Sequence, residues 1–167
     1  AKRCCARNYL QILFYSKGDD LINDESLAEA KKVENAIKNR PGFKDRTVIA
    51  NNGNGVFSDT PPSSFLNYIY PTVNGDQWIL DGNGDVSCCD PKLKAQELLD
   101  AQLVLGSELE VTWFDFNFGR NNLNSKYMVS IFPFAYADGE SKDDSQKWIS
   151  DFYKTLDNIK GLDLIEF

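Results

Sequence analysis

Asn8-Tyr9-Leu10-Gln11-Ile12-Leu13-Phe14-Tyr15-Ser16 is the stretch that decides the fold. Leu10, Ile12 and Phe14 alternate with Tyr9, Gln11, Leu13 and Tyr15, and the run stops at Lys17-Gly18. Period-two alternation of branched and aromatic side chains marks a strand, here one that is largely buried. The pattern then changes. Ser26-Leu27-Ala28-Glu29 has the spacing of a capping box, and Leu27, Ala30, Val33 and Ile37 follow on one helical face. Lys31, Lys32, Glu34 and Lys38 are expected to face water, and Arg40-Pro41-Gly42 ends the helix. A strand feeding an amphipathic helix sets the theme for the remainder.

Arg46 to Ala50 reads as a second strand. Between residues 51 and 90 the chain turns repeatedly at Asn52-Gly53, Asn54-Gly55, Asn74-Gly75 and Asn83-Gly84. Asn-Gly accepts positive φ at both central turn positions, so Tyr68–Val73 and Asp76–Leu80 read as a hairpin around Asn74-Gly75. Asp90-Pro91 opens a second helix: Asp caps, and Pro at the first position has no donor to lose. Its buried stripe is Ala95, Leu98, Ala101 and Leu105, and Gly106 ends it. Glu108–Phe118 and Lys126–Tyr136 read as a long hairpin, with a bulge where the apolar face changes phase. Ser141 caps a third helix with Trp148, Ile149, Phe152, Leu156 and Ile159 inward, and Leu162–Phe167 is a closing strand. The sum is an α+β fold: a mixed, largely antiparallel sheet with three amphipathic helices packed mainly on one face. No repeat or linker interrupts residues 1–167, so a single domain is expected.

The 167 residues carry 18 basic and 25 acidic side chains, a net charge of -7, and no histidine. Without histidine, Ser-His-Asp and Cys-His catalysis are excluded and the commonest zinc ligand is missing. An acidic chain is ill suited to nucleic acid, where Lys and Arg displace counterions, and suits a basic protein partner. No apolar run approaches the roughly 20 residues of a membrane-spanning helix. No phosphate loop occurs, and no cofactor is expected.

The four cysteines form two adjacent pairs, Cys4-Cys5 and Cys88-Cys89. Neighbouring cysteines seldom bond to each other, so cross-links from pair to pair are expected, and with them a secreted or periplasmic setting rather than a cytoplasmic one; the alternative is four reduced thiols packed as small apolar groups. Four-thiolate zinc is disfavoured because structural sites use C-x₂₋₄-C spacing. Asp81-Gly-Asn83-Gly-Asp85-Val-Ser87 resembles a calcium loop in its alternating oxygens, but Val86 and Lys92 stand where glycine and glutamate belong, and a side-chain-held turn explains it more simply.

Three functional readings follow. The first is a non-catalytic binding protein, such as a small acidic inhibitor or immunity-like protein, that docks a basic partner through Trp113, Asp115, Phe116, Glu108 and Glu110. The second is a carboxylate-dependent hydrolase with Asp115 as its acid or base. The third is an accessory subunit of a larger assembly.

Overall fold

The strand at the start of the chain finds its main partner near the other end. The computed structural model describes residues 8–51, 57–105, 113–115 and 118–167. In chain order its elements are β1 (Asn8–Ser16), α1 (Asp24–Lys38), α2 (Phe43–Arg46), β2 (Ile49–Asn51), β3 (Phe57–Asp59), α3 (Leu66–Ile69), β4 (Thr72–Asn74), β5 (Gln77–Ile79), α4 (Pro91–Leu105), β6 (Tyr127–Phe134), α5 (Lys142–Ser150), α6 (Phe152–Leu156) and β7 (Ile165–Glu166). The main sheet runs β6-β1-β7, and every strand pairing is antiparallel. The fold is α+β, as the sequence predicts.

β1 and β6 pair from Asn8↔Phe134 to Tyr15↔Tyr127. On the inner face Leu10, Ile12 and Phe14 lie beside Met128, Phe132 and Phe134, all buried, and the α1 stripe of Leu27, Ala30, Val33 and Ile37 joins the same core. Phe65, Leu66, Ile69 and Phe152 complete it. On the outer face Tyr9, Leu13 and Tyr127 stay exposed. The third helix is capped by Ser141, whose hydroxyl accepts from the Asp144 amide, and divides into α5 and α6 at Asp151.

Several local expectations are corrected. The α1 cap is Asn23, in extended conformation, whose side chain accepts the Ser26 amide; Ser26 lies inside the first turn and is buried. Lys31 and Glu34 do not face water. Both are buried, and the Glu34 carboxylate accepts the hydroxyls of Ser64 and Ser130, each at 2.6 Å. Residues 43–46 form a helical turn, so the second strand starts late, at Ile49. Residues 66–69 are helical because Leu66 and Ile69, three apart, both reach the core, and the strand begins only after Pro71. In α4, Ala95 is buried and Leu98 partly so, but Ala101 is exposed. The first arm of the long hairpin meets β6 at Trp113–Phe114, through a single bridge from Phe114 to Met128 and a bond from the Val129 amide to the Trp113 carbonyl. Of this arm, residues 108–112, 116 and 117 lie outside the described residues, as does Gly106, the expected end of α4.

Glu29 closes the sheet. It does not cap its own helix; its carboxylate accepts the amides of Asp163, Leu164 and Ile165 at 2.9–3.1 Å and so holds β7 against β1. Burial pushes its pKa up, but the three amide donors, helped by Lys32, outweigh it and hold the carboxyl below its ordinary value. A carboxyl with a depressed folded-state pKa contributes stability above its unfolded value, and that stability is lost as pH falls through the folded one. Glu29→Gln, which cannot satisfy all three donors, is expected to lower the unfolding free energy by about 1–3 kcal/mol at pH 7. Urea titration should show this deficit shrinking on acidification, because the wild-type carboxyl becomes protonated as well.

Candidate functional site

The segment between β3 and α4 is built from tight turns fastened to α1. Asp81 is its hub. Its carboxylate accepts the Thr72 amide and hydroxyl and the Asn83 amide and side chain, at 2.9–3.2 Å. Lys38 donates to the Asp81 carbonyl and the Asn83 side chain, and Lys31 donates to the Gly84 carbonyl while its ammonium lies 4.3 Å from the centre of the Tyr70 ring. The Gly84 amide returns a bond to Tyr70 at 2.9 Å. A side chain at Gly84 would place its Cβ 2.2 Å from the Pro71 carbonyl oxygen, so only glycine fits this crossing. The resemblance to a calcium loop thus resolves as a side-chain-held turn. Among the described residues no group of three or more His, Cys, Asp or Glu is placed to hold a metal ion.

From this fastened base the hairpin β4–β5 projects. Asn74 pairs with Gln77, Val73 with Trp78 and Thr72 with Ile79. The two-residue turn is therefore Gly75-Asp76, one step later than the Asn74-Gly75 reading. Gly75 has φ +59°, and among the described residues only glycines have positive φ. A turn with positive φ at its first central position alone is type II′, which asks for glycine there, whereas type I′ would force Asp76 into the left-handed region. Val73 and Trp78 are 59% and 58% exposed, and Ile79 and Leu80 are exposed beside them. As a cross-strand pair, Val73 and Trp78 share one face.

Charge singles out the same place. Between Arg46 and Lys92 the sequence has no Lys or Arg but five aspartates, Asp59, Asp76, Asp81, Asp85 and Asp90. Five of the seven net negative charges therefore fall in residues 47–91, and the rest of the chain is nearly balanced. The outer face of the main sheet also exposes Tyr9, Leu13 and Tyr127, but it lacks this charge bias: along β1 and β6 it has no acidic side chain.

Beside the hairpin base, an open cleft of about 910 Å³ lies between α1 and residues 85–90, lined by Asp24, Lys31, Tyr70, Asp85, Cys88 and Cys89 among others. The two cysteines carry free thiols, so the expected cross-links are not formed at them. Their sulfurs face each other at 2.7 Å, and the Cys88 thiol donates to the Tyr68 carbonyl at 3.2 Å. Cys4 and Cys5 lie outside the described residues. Burial, with the hydrogen bond to Cys88, pushes the Cys89 thiol up to about 12, so at neutral pH it is a protonated, weak nucleophile.

Of the residues predicted for docking, Trp113 is half-buried; its indole donates to the Ser63 hydroxyl at 3.0 Å and packs on Tyr68. Asp115 accepts the Ser125 hydroxyl and the Lys126 amide at 3.1 and 3.0 Å, bracing the entry to β6. Glu108, Glu110 and Phe116 lie outside the described residues. Sequence reasoning missed Trp78. Its signal was a short hairpin, apolar on both faces, inside a stretch free of lysine and arginine.

No protein-family model matches the chain. Over 84 residues, 45% of the chain, it is 29% identical to protein dispatched homolog 3 of Mus musculus, and to the same protein of Homo sapiens over the same span. The match takes up 6% of those proteins, so the chain spans only a small part of the length of the curated relatives it matches. Among the described residues no helix is long and apolar enough to cross a membrane.

Gly84→Ala should lower the unfolding free energy by about 1–3 kcal/mol, because the new methyl group meets a carbonyl rather than a movable side chain. Gly119→Ala, which meets nothing within 4 Å, should stay within about 0.5 kcal/mol of wild type in the same denaturant titration.

Proposed function

We propose that this chain is a non-catalytic binding module that docks a basic protein partner, with the hairpin β4–β5 as its anchor. The observation that carries this reading is the exposed pair Val73 and Trp78 beside Asp76 at the hairpin tip, away from the base that Lys31 and Lys38 fasten. Exposed tryptophan is the side chain most often found at the energetic centre of an interface. Unbalanced negative charge next to it accelerates encounter with a cationic surface. Trp78 meets both conditions, whereas Trp113 is half-buried and engaged with Ser63 and Tyr68.

The carboxylate-hydrolase reading has less support. Both oxygens of Asp81 and Oδ2 of Asp115 accept from neighbouring donors within their own turns. The small share of the dispatched homologs that the match covers favours a second reading, in which this module works beside other domains of a longer protein. The docking surface would be the same in either setting.

A nine-residue peptide of alternating lysine and valine serves as a defined cationic probe. Its association rate, followed by biolayer interferometry, should fall several-fold as NaCl rises from about 50 to about 500 mM, because the shortened Debye length screens steering. Asp76→Asn with Asp85→Asn should slow association, and Trp78→Ala should speed dissociation by about 10-fold or more. An association rate indifferent to salt would refute the charge-steered reading.

A further inference from the structure

We infer that the hairpin receives its partner as a third strand: an extended, basic segment adds to the free edge of β5 and pairs through main-chain hydrogen bonds. The inference rests on the docking reading above and specifies how that surface is used.

The argument starts from the hairpin's register. In a two-residue hairpin the closing pair, Asn74 and Gln77, exchanges hydrogen bonds, and the next pair, Val73 and Trp78, does not. The main-chain N–H and C=O of Trp78 therefore point away from β4, toward the outer edge of β5. Leu80 lies past the end of β5, in a tight turn closed by the Asp81 amide on the Ile79 carbonyl at 3.0 Å. Among the described residues, nothing hydrogen-bonds the main-chain groups of Trp78 or Leu80. β5 belongs to a sheet of two strands only, and all three of its residues are exposed.

An open edge of this kind is normally blunted. Lysine, proline, a bulge or a covering element keeps other chains from pairing with it. The edge formed by Gln77-Trp78-Ile79-Leu80 has no lysine or proline. A two-stranded hairpin of three-residue strands is also barely self-sufficient, and a third strand is what such a ribbon needs for independent stability. Gly75 completes a tight turn without strain, and the Asp81 and Gly84 fastenings fix the base, so the edge is presented in a set direction.

The chemistry of the incoming segment follows from its surroundings. Asp76 lies at the hairpin tip and Asp85 near its base, where the Asp81 carboxylate is bound to Thr72 and Asn83 and Lys31 and Lys38 reach in from α1. A segment lying along β5 thus passes the Asp76 carboxylate at the tip, which favours Lys or Arg at the end that meets it. Its middle residue opposite Trp78 meets an exposed indole, suited to an apolar or cationic side chain. In strand addition the main chain supplies affinity and alternate side chains supply selectivity.

The test compares the alternating lysine–valine peptide with two versions N-methylated on alternate residues, one version for each edge of the peptide strand. Only one peptide edge can face β5 in a given register. Methylation of that edge should weaken binding about 10-fold or more, and methylation of the other should leave it within about two-fold. Equal affinities for the two methylated peptides would overturn strand addition while leaving the docking surface in place. Failure of the unmethylated peptide to bind at low salt would remove the docking reading together with it.

Discussion

The pairing of β1 with β6 is the constraint on which the remainder of the structure depends. These strands lie near opposite ends of the chain, and their ladder runs the full length of β6 and all but the last residue of β1. Closing so long an intervening segment costs chain entropy, though the cost grows only slowly with length. It is offset because the closure places Phe14, Met128, Phe132 and Phe134 together and presents them to α1. Once that layer exists, the segment between α1 and β6 needs only to be fastened, not to fold by itself. Lys31, Lys38 and Glu34 do the fastening from α1, toward Gly84, the Asp81 turn and the pair Ser64–Ser130.

The carboxylates show the same division of labour. Glu29 holds β7, Glu34 joins helix to sheet, Asp81 builds the turn at the hairpin base and Asp115 braces the entry to β6. Each binds donors of the chain itself, and the second Glu34 oxygen is buried with the Lys38 ammonium 3.6 Å away. A general acid or base needs an oxygen aimed at something that arrives from outside. Of the aspartates between β3 and α4, Asp81 builds its turn and Asp90 caps α4, which leaves Asp76 at the hairpin tip as the one best placed for an external partner.

Where one physical rule decided the local structure, the sequence was legible. The alternation of Leu10, Ile12 and Phe14 located β1 to the residue, and Asp90-Pro91 located the start of α4. Position mattered more than pattern in the failures. Ser26 and Glu29 have capping-box spacing, but Asn23 lies three residues earlier and takes the cap, releasing Glu29 to reach β7. Lys31 and Glu34 read as a solvated face because nothing in the local sequence shows that another segment will cover them. The α4 stripe was over-read at Ala101, a residue small enough to sit on either face.

The candidate site was legible only in kind. Composition pointed to an acidic surface bearing aromatic side chains, and the cluster around Trp113 was the densest one to find. Density in sequence measures core packing as readily as exposure, and Phe114 does pack on Phe65 and on Phe118. Exposure depends on which segments are left uncovered, and that is a tertiary property. The account can be tested most directly by mapping amide chemical-shift changes across ¹⁵N-labelled protein as a cationic peptide is titrated in. Changes centred on Val73 to Leu80, with the amides of β1 and β6 unmoved, are the predicted result. Changes centred on the outer face of the main sheet, at Tyr9 to Leu13 and Tyr127 to Ile131, would contradict it.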